Sequence, residues 1–396
     1  MRKLLLGLTT LFILAAAIFA NPASAAPRRM VVVVAEGLGP QVIDFGTAYS
    51  KTAYEQGAAV AFDDIKTLAK TQNIEGDAIG SLRGILKTAS TNGYKTGLVT
   101  TADITTVAPI FYDLPAGDAA ATAQTLLNNT RFDVLAGGGR AHFGDAKTFA
   151  DAGNSTLFTV ESLDEEVKGK VLALQSDTAL TYGLDRDIEK DAGFAELVTL
   201  ALQTLNTDEA PFVLVVHDNL LARALAAKDT PAYLSQFREI DGIVADVLGA
   251  REENTADFGV AIIGTGGSFA PRFTTELPNE RSEAFYIVSQ LPLSYGGAGA
   301  SLNGANDAAL TTFATDRYKG WKLSAENRAA ILAGQMTPEV AIRTSYEPVL
   351  KIAYEPATTG SVAHVIGFDA ANGVAGALNA IVSRKPAANA PAVPEL

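Results

Sequence analysis

The sequence predicts an α/β protein, a three-layer α/β/α sandwich around a mostly parallel central sheet. Short apolar runs of the kind that form buried parallel strands recur along the chain. Between them lie segments whose apolar residues repeat every three to four positions, as in amphipathic helices. Strands that alternate with helices build a parallel sheet covered on both faces, so these two patterns carry the prediction. The expected strands are 30–35, 96–100, 134–136, 171–174, 212–216 and 259–263, and the expected helices are 79–90, 119–129, 195–205 and 233–248.

The composition changes near residue 268, where Gly, Asn, Ala and Pro become frequent up to about residue 345. We interpret this stretch as an insertion packed near the C-terminal edge of the sheet, with a helix at 325–334. The last strand is expected at 349–354. Residues 385–396 are rich in Ala and Pro and are expected to be disordered, so the folded domain is predicted to span residues 26–384.

The first 25 residues have the pattern of a secretory signal peptide. Arg2 and Lys3 form a positive region, residues 4–19 are apolar, and Ala23-Ser24-Ala25 is a small-residue cleavage motif. The apolar run is shorter than the roughly 20 residues that span a bilayer. We therefore expect cleavage after Ala25, no membrane span in the mature chain, and a periplasmic or secreted protein. An uncleaved N-terminal anchor is the alternative.

Net charge and cysteine content limit which partners the protein can bind and how its fold can be stabilised. The 396 residues carry a net charge of −13, which argues against nucleic acid as a partner because phosphate backbones are bound by Lys and Arg patches. The sequence has no cysteine, so no disulfide can form and stability must come from a large core.

Four sequence blocks resemble the alkaline phosphatase family in their order and spacing. They are Gly-Tyr-Lys-Thr-Gly-Leu-Val-Thr-Thr at 93–101, Asp-Val-Leu-Ala-Gly-Gly-Gly-Arg-Ala-His-Phe at 133–143, Tyr-Gly-Leu-Asp-Arg-Asp at 182–187, and the run 212–216 followed by Glu-Ile-Asp-Gly at 239–242. The resemblance covers about residues 30–368. It implies the fold of that family, a possible homodimer, and a site in which two zinc ions and one magnesium ion surround a serine nucleophile while an arginine holds the phosphate.

Most positions at which that family carries its metal ligands hold other residues in this chain. The aligned residues are Thr106, Ala108, Ala222, Ala226, Ile262, Ile263 and Thr344. The shortened segment 62–79 lacks the Asp-Ser-Ala sequence of the nucleophile, and no arginine lies between Arg83 and Arg131. The resemblance thus implies that the catalytic residues are lost. We expect Ile262, Ile263, Ala222 and Ala226 to fill the former cleft with apolar side chains.

Three residues remain as candidate metal ligands. Glu36 stands in Glu-Gly-Leu-Gly, where the family has an Asp; it can ligate, but Gly37 and Gly39 also explain the segment as a simple turn, which we favour. His217 ends a strand, and with its partner positions replaced by Ala we interpret it as a hydrogen-bonded edge residue. The adjacent Asp218 could ligate instead.

These observations leave more than one functional hypothesis. The first is an exported family member that has lost catalysis, needs no cofactor, and binds an unknown small molecule or protein or has a structural role. The alternative is a metal-dependent phosphomonoesterase with a relocated site, in which Glu36, Asp103, His217 and Asp218 surround zinc or magnesium. A third is a new ligand in the old cleft. The fold does not choose among them, so whether the chain is an enzyme stays open at this point.

Overall fold

The computed structural model describes residues 28–53, 60–74, 77–115, 117–129, 131–207, 210–252, 258–316, 323–357 and 361–366. The signal peptide expected at 1–25 and the tail expected at 385–396 lie outside these residues. Within the part of the chain that the structure describes, no helix is both long and apolar enough to cross a lipid bilayer.

A mostly parallel sheet of nine strands forms the centre of the described residues, in the order β2-β11-β8-β1-β7-β3-β4-β6-β5. Only β11 runs antiparallel, and it pairs with both β8 and β2. These strands are β1 (Arg29–Glu36), β2 (Lys70–Ile74), β3 (Lys95–Asp103), β4 (Val134–Gly138), β5 (Ser155–Leu157), β6 (Val171–Ser176), β7 (Phe212–Asp218), β8 (Phe258–Thr265) and β11 (Ser361–Ile366). All six strands expected from apolar runs lie in this sheet, because runs buried on both faces suit a parallel sheet.

Helices cover both faces of the sheet. They are α1 (Pro40–Ala53), α2 (Ala61–Leu68), α3 (Ile85–Thr91), α4 (Ile104–Phe111), α5 (Ala119–Asn129), α6 (Lys147–Asp151), α7 (Phe194–Leu205), α8 (Leu220–Ala227) and α9 (Thr230–Glu252). Neighbouring strand residues point to opposite faces. Val31 and Val33 therefore join one core with α1, α2 and α7 to α9, whereas Val32 and Val34 join the other core with α3 to α6. The predicted three-layer α/β/α sandwich is confirmed.

The stretch after β8 forms a layer of its own. It contains a two-stranded antiparallel ribbon, β9 (Phe269–Phe273) with β10 (Ile352–Pro356), and the helices α10 (Pro278–Ser289), α11 (Tyr295–Ala300), α12 (Asp307–Asp316), α13 (Ala325–Leu332) and α14 (Pro338–Leu350). Strand β9 and helix α10 pack against α1, and α10 also contacts α9. The insertion expected at 268–345 thus packs over the helices of one face, and β9 also contacts α8, which follows the carboxyl end of β7.

Two expected elements differ in the structure. The helix expected at 79–90 is divided into a short 3₁₀ turn at Gly80–Leu82 and α3, because Gly84 adopts a φ of +71° that a continuing helix does not allow. The strand expected at 349–354 begins only at Ile352. Val349 and Leu350 end α14, which the left-handed Lys351 (φ 51°) terminates.

Candidate functional site

Polar side chains meet where β1, β3 and β7 end at the carboxyl edge of the sheet. The register pairs Ala35 with Asp218 and Thr100 with His217, so Glu36, His217 and Thr100 stand side by side although they are far apart in sequence. In open α/β sheets this edge is where ligands usually bind. The structure therefore brings Glu36 and His217 into contact, whereas Asp218, the next residue of β7, faces the opposite side of the sheet, where its carboxylate contacts Gln236 of α9.

His217 is buried at this edge and uses both ring nitrogens. Its Nδ1 lies 2.9 Å from Thr100 Oγ1, and its Nε2 lies 2.9 Å from Glu36 Oε1. The Phe111 ring packs edge-on to the imidazole, with 6.0 Å between ring centroids. Glu36 is the outer member of this group, with 34% of its side chain exposed against 3% for His217.

The Glu36 carboxylate indicates which nitrogen of His217 carries a proton. A carboxylate oxygen only accepts hydrogen bonds, so His217 Nε2 donates to Glu36 Oε1. In the neutral imidazole Nδ1 then accepts from the Thr100 hydroxyl, whose oxygen also accepts the Ala102 N–H at 3.0 Å. A hydroxyl, an imidazole and a carboxylate in a row have the composition of a hydrolase triad. Thr100 is fully buried, however, so this hydroxyl cannot reach a substrate. The hydrogen bonds of the three residues instead link β3, β7 and β1.

Asp218 is 1% exposed and caps the start of α8. Its Oδ2 accepts the Leu221 N–H at 3.0 Å, and its Oδ1 accepts the Gln236 side-chain amide at 3.0 Å and the Thr101 hydroxyl at 3.2 Å. Burial raises the pKa of the Asp218 carboxyl to about 7. The hydrogen bond from the Leu221 N–H acts in the opposite direction and lowers this pKa. Asp218 is thus held by neighbouring groups on both oxygens.

The segment after Glu36 is a tight turn. Gly37 has a φ of +89°, and its N–H donates to the Thr265 carbonyl at 2.9 Å. A Cβ at Gly37 would lie only 3.0 Å from the Ala222 Cα, so β1 and α8 approach each other closely here. Glycine suits both the positive φ and this approach.

The residues aligned with family ligands are dispersed. Ile262 and Ile263 are fully buried within β8 and belong to the two different cores, because consecutive strand residues face opposite sides. On α8, Ala222 is half-buried and Ala226 is exposed. The expectation that these four side chains together fill one former cleft is therefore wrong.

The other three aligned positions lie on helices. Thr106 is exposed on α4, where its hydroxyl donates to the Asp103 carbonyl at 2.7 Å, and Ala108 is buried on the same helix. Thr344 lies on α14 and donates to the Val340 carbonyl at 2.9 Å.

Two features of the edge were missed in the sequence. Thr100 forms a hydrogen bond with His217, and Thr101 forms one with Asp218. The sequence feature that could have indicated them is a pair of polar residues inside a buried apolar run. The second feature is a pair between His142 Nε2 and Asp103 Oδ2 at 3.0 Å. Nothing in the spacing of these two residues indicated that they would meet. Asp103 also caps α4 by accepting the Thr105 N–H at 2.9 Å.

Comparisons with known proteins agree with this architecture. No family model matches the chain. Alkaline phosphatase 4 of Bacillus subtilis (strain 168) is 27% identical over 204 residues, which are 46% of this chain and 43% of that protein, so the match spans less than half the length of this curated relative. A cold-active alkaline phosphatase from the psychrophile Shewanella sp. superimposes with a TM-score of 0.73 at 16% identity, covering 91% of this chain and all of that one.

The chain has an alkaline-phosphatase-like fold. A second solved structure, the alkaline phosphatase of Thermus thermophilus, gives a TM-score of 0.72 at 17% identity and covers 87% of this chain and 86% of that one. The resemblance to the alkaline phosphatase family stated from the sequence is thereby confirmed for the fold.

The residues at the carboxyl edge of this alkaline-phosphatase-like sheet do not fit a site for several metal ions. Among the described residues, no group of three or more His, Cys, Asp or Glu side chains is arranged to hold a metal ion. Zinc needs three or four such donors with free lone pairs. Glu36 and His217 are in contact but Asp218 faces the other side of the sheet, and the nitrogens of His217 and the oxygens of Asp218 already form hydrogen bonds within the protein.

His217 should therefore matter for stability. We expect His217→Ala to lower the free energy of unfolding by about 3 kcal/mol, because it opens a cavity beside Phe111 and leaves the buried Thr100 hydroxyl without its partner. Glu36→Gln keeps an acceptor for Nε2 and should cost about 1 kcal/mol or less. Urea unfolding followed by circular dichroism measures both variants. Equal losses in the two would contradict the assignment of His217 as the central member of the group.

Proposed function

We propose that this chain is an exported protein of alkaline-phosphatase-like fold that does not hydrolyse phosphate esters and instead has a binding or structural role. The observation that carries the proposal is that the atoms of His217 and Asp218 that could bind a metal already form hydrogen bonds within the protein. Their partners are Thr100, Glu36 and the start of α8. A metal ion would have to break these bonds before it could bind. Export is supported by the pattern of residues 1–25.

The aligned positions give independent support. A two-metal mechanism needs ligands on both sides of the attacking and leaving oxygens. Positions 262 and 263 hold isoleucines whose side chains belong to the two hydrophobic cores. The catalytic groups of one site act together, so the loss of several of them abolishes the reaction rather than only slowing it.

The direct test is to purify the mature chain, measure bound zinc and magnesium, and assay a chromogenic phosphate monoester at alkaline pH with both metals added. We expect no stoichiometric metal and no turnover above a heat-killed control. Ala226→His should stay inactive as well, and because Ala226 is exposed this variant is expected to fold normally. Metal-dependent turnover that survives repurification and is lost in Glu36→Gln would instead establish the metal-dependent phosphomonoesterase.

A further inference from the structure

Asparagine followed by glycine occurs in this chain at 92–93, 303–304 and 372–373, and the last of these pairs lies outside the described residues. Such a pair can lose the side-chain amide without an enzyme, because glycine has no Cβ to block the approach of its backbone nitrogen to the asparagine carboxamide. The fold favours this reaction where the glycine N–H makes no hydrogen bond and where the turn can change its backbone angles.

The pair at 303–304 lies in an exposed turn between α11 and α12. Asn303 and Gly304 are both exposed, and no atom lies within 4 Å of the place where a Cβ on Gly304 would be. In the described part of the chain, no residue accepts a hydrogen bond from the Gly304 N–H or bonds to the Asn303 carboxamide. The Ala305 N–H closes the turn by donating to the Leu302 carbonyl at 3.0 Å. The nitrogen of Gly304 can therefore lose its proton without breaking a hydrogen bond.

The pair at 92–93 has the same two side chains in the opposite environment. It ends α3, where the Asn92 N–H donates to the Ala89 carbonyl at 3.0 Å and the Gly93 N–H donates to the Ser90 carbonyl at 3.1 Å. The next residue, Tyr94, is buried and fixes the path of the chain. The nitrogen that would attack is thus engaged, and the reaction here requires local opening of the structure.

We propose that Asn303 is a modification site at which the side-chain amide is lost spontaneously, giving aspartate or isoaspartate. The Gly304 nitrogen forms a bond to Asn303 Cγ, the Cγ–Nδ2 bond breaks, and the proton of the Gly304 N–H leaves with the ammonia. The attack is intramolecular, so it needs no further reactant. Water then opens the five-membered succinimide at either of its two carbonyls, and nothing is oxidised or reduced.

Both products change the turn between α11 and α12. Each places a carboxylate where a neutral amide stood, and isoaspartate also adds a methylene group to the main chain. The modification goes beyond the proposed function and does not depend on it, because it involves none of the residues at the carboxyl edge of the sheet. It would give the protein a chemical mark of its age.

The test is to incubate the purified protein at physiological pH and temperature and to follow the loss of each amide by mass spectrometry of tryptic peptides. Trypsin separates the three pairs into peptides 88–95, 282–317 and 352–384, and fragment ions distinguish Asn303 from Asn306. We expect Asn303 to react at least about tenfold faster than Asn92 in the folded protein. In urea concentrated enough to unfold the chain, the two rates should differ by less than about threefold, because the protection of Asn92 is then lost.

Two variants complete the design. Asn303→Gln should abolish the reaction at this position, since its ring closure would need six members and is much slower. Asn92→Gln is the matched control and should leave the rate at Asn303 unchanged. The proposal would be overturned by a rate at Asn303 no greater than that at Asn92 in the folded protein, or by a difference that persists unchanged in urea. Because the phosphatase assay has a different readout, either result would leave the proposed absence of catalysis unaffected.

Discussion

Gly264→Ala is expected to lower the free energy of unfolding by at least about 3 kcal/mol, more than the usual cost of adding one methyl group to a packed core. A Cβ at Gly264 would lie 1.8 Å from the Leu38 carbonyl oxygen. That oxygen belongs to the main chain of the turn after β1, so it cannot move aside as a flexible side chain would. The neighbouring bond from the Gly37 N–H to the Thr265 carbonyl holds the turn against β8.

The matched control is Gly242→Ala in the interior of α9. Gly242 is exposed and has no neighbouring atom within 4 Å of the added Cβ, so the same change should raise the stability by about 0.5–1 kcal/mol through helix propensity. If the turn after β1 packs against β8 as described, urea unfolding should show a lower free energy of unfolding for Gly264→Ala and a higher one for Gly242→Ala. A Gly264→Ala midpoint equal to that of the unmodified protein would show that this approach does not exist in solution.

The second large effect concerns Asp218 and pH. Its pKa is raised from 3.8 to about 7 in the folded protein, so between these two values the folded state keeps a proton that the unfolded state releases. The stability that Asp218 contributes is therefore fully present below pH 4 and is lost as pH rises through 7. For a shift of this size the loss is on the order of 4 kcal/mol.

Asp218→Asn removes this pH dependence, since the amide stays neutral and resembles the protonated carboxyl. Relative to the unmodified protein, we expect the variant to gain about 4 kcal/mol between pH 4 and pH 8, measured by urea unfolding at a series of pH values. The control is Asp151→Asn at an exposed pair with Lys147, where the difference from the unmodified protein should vary by less than about 0.5 kcal/mol. A pH-independent difference for Asp218→Asn would mean that this carboxyl is solvated.

Much of the fold could be predicted from the sequence because its determinants are local. A run such as 30–35 is apolar at every position, and only burial on both faces accommodates it, as β1 does. Boundaries set by a single backbone angle were missed, as at Gly84 and Lys351. The helices on which the insertion packs could not be predicted, because composition indicates a change of structure but not its packing partner.

The candidate site was predictable only as a set of residues. The ends of parallel strands meet at one edge, so Glu36, His217 and Asp218 could be expected near each other. The roles of these residues could not be predicted, because they depend on contacts with Thr100 and Gln236. Strand register and helix packing bring those two residues into contact with the site. The dispersion of Ile262 and Ala226 shows the same limit, since alignment gives a position but not the direction of a side chain.

The place of β1 in the strand order has a consequence for how the chain acquires its structure. β1 is made first, yet its two neighbours are β7 at Phe212–Asp218 and β8 at Phe258–Thr265. Until about residue 218 has emerged from the ribosome, this apolar strand has neither partner, and it lacks β8 until about residue 265. Contacts so distant in sequence form slowly. β1 therefore stays unpaired while more than half of the 396 residues are made, and during that time the exposed apolar strand depends most on chaperones.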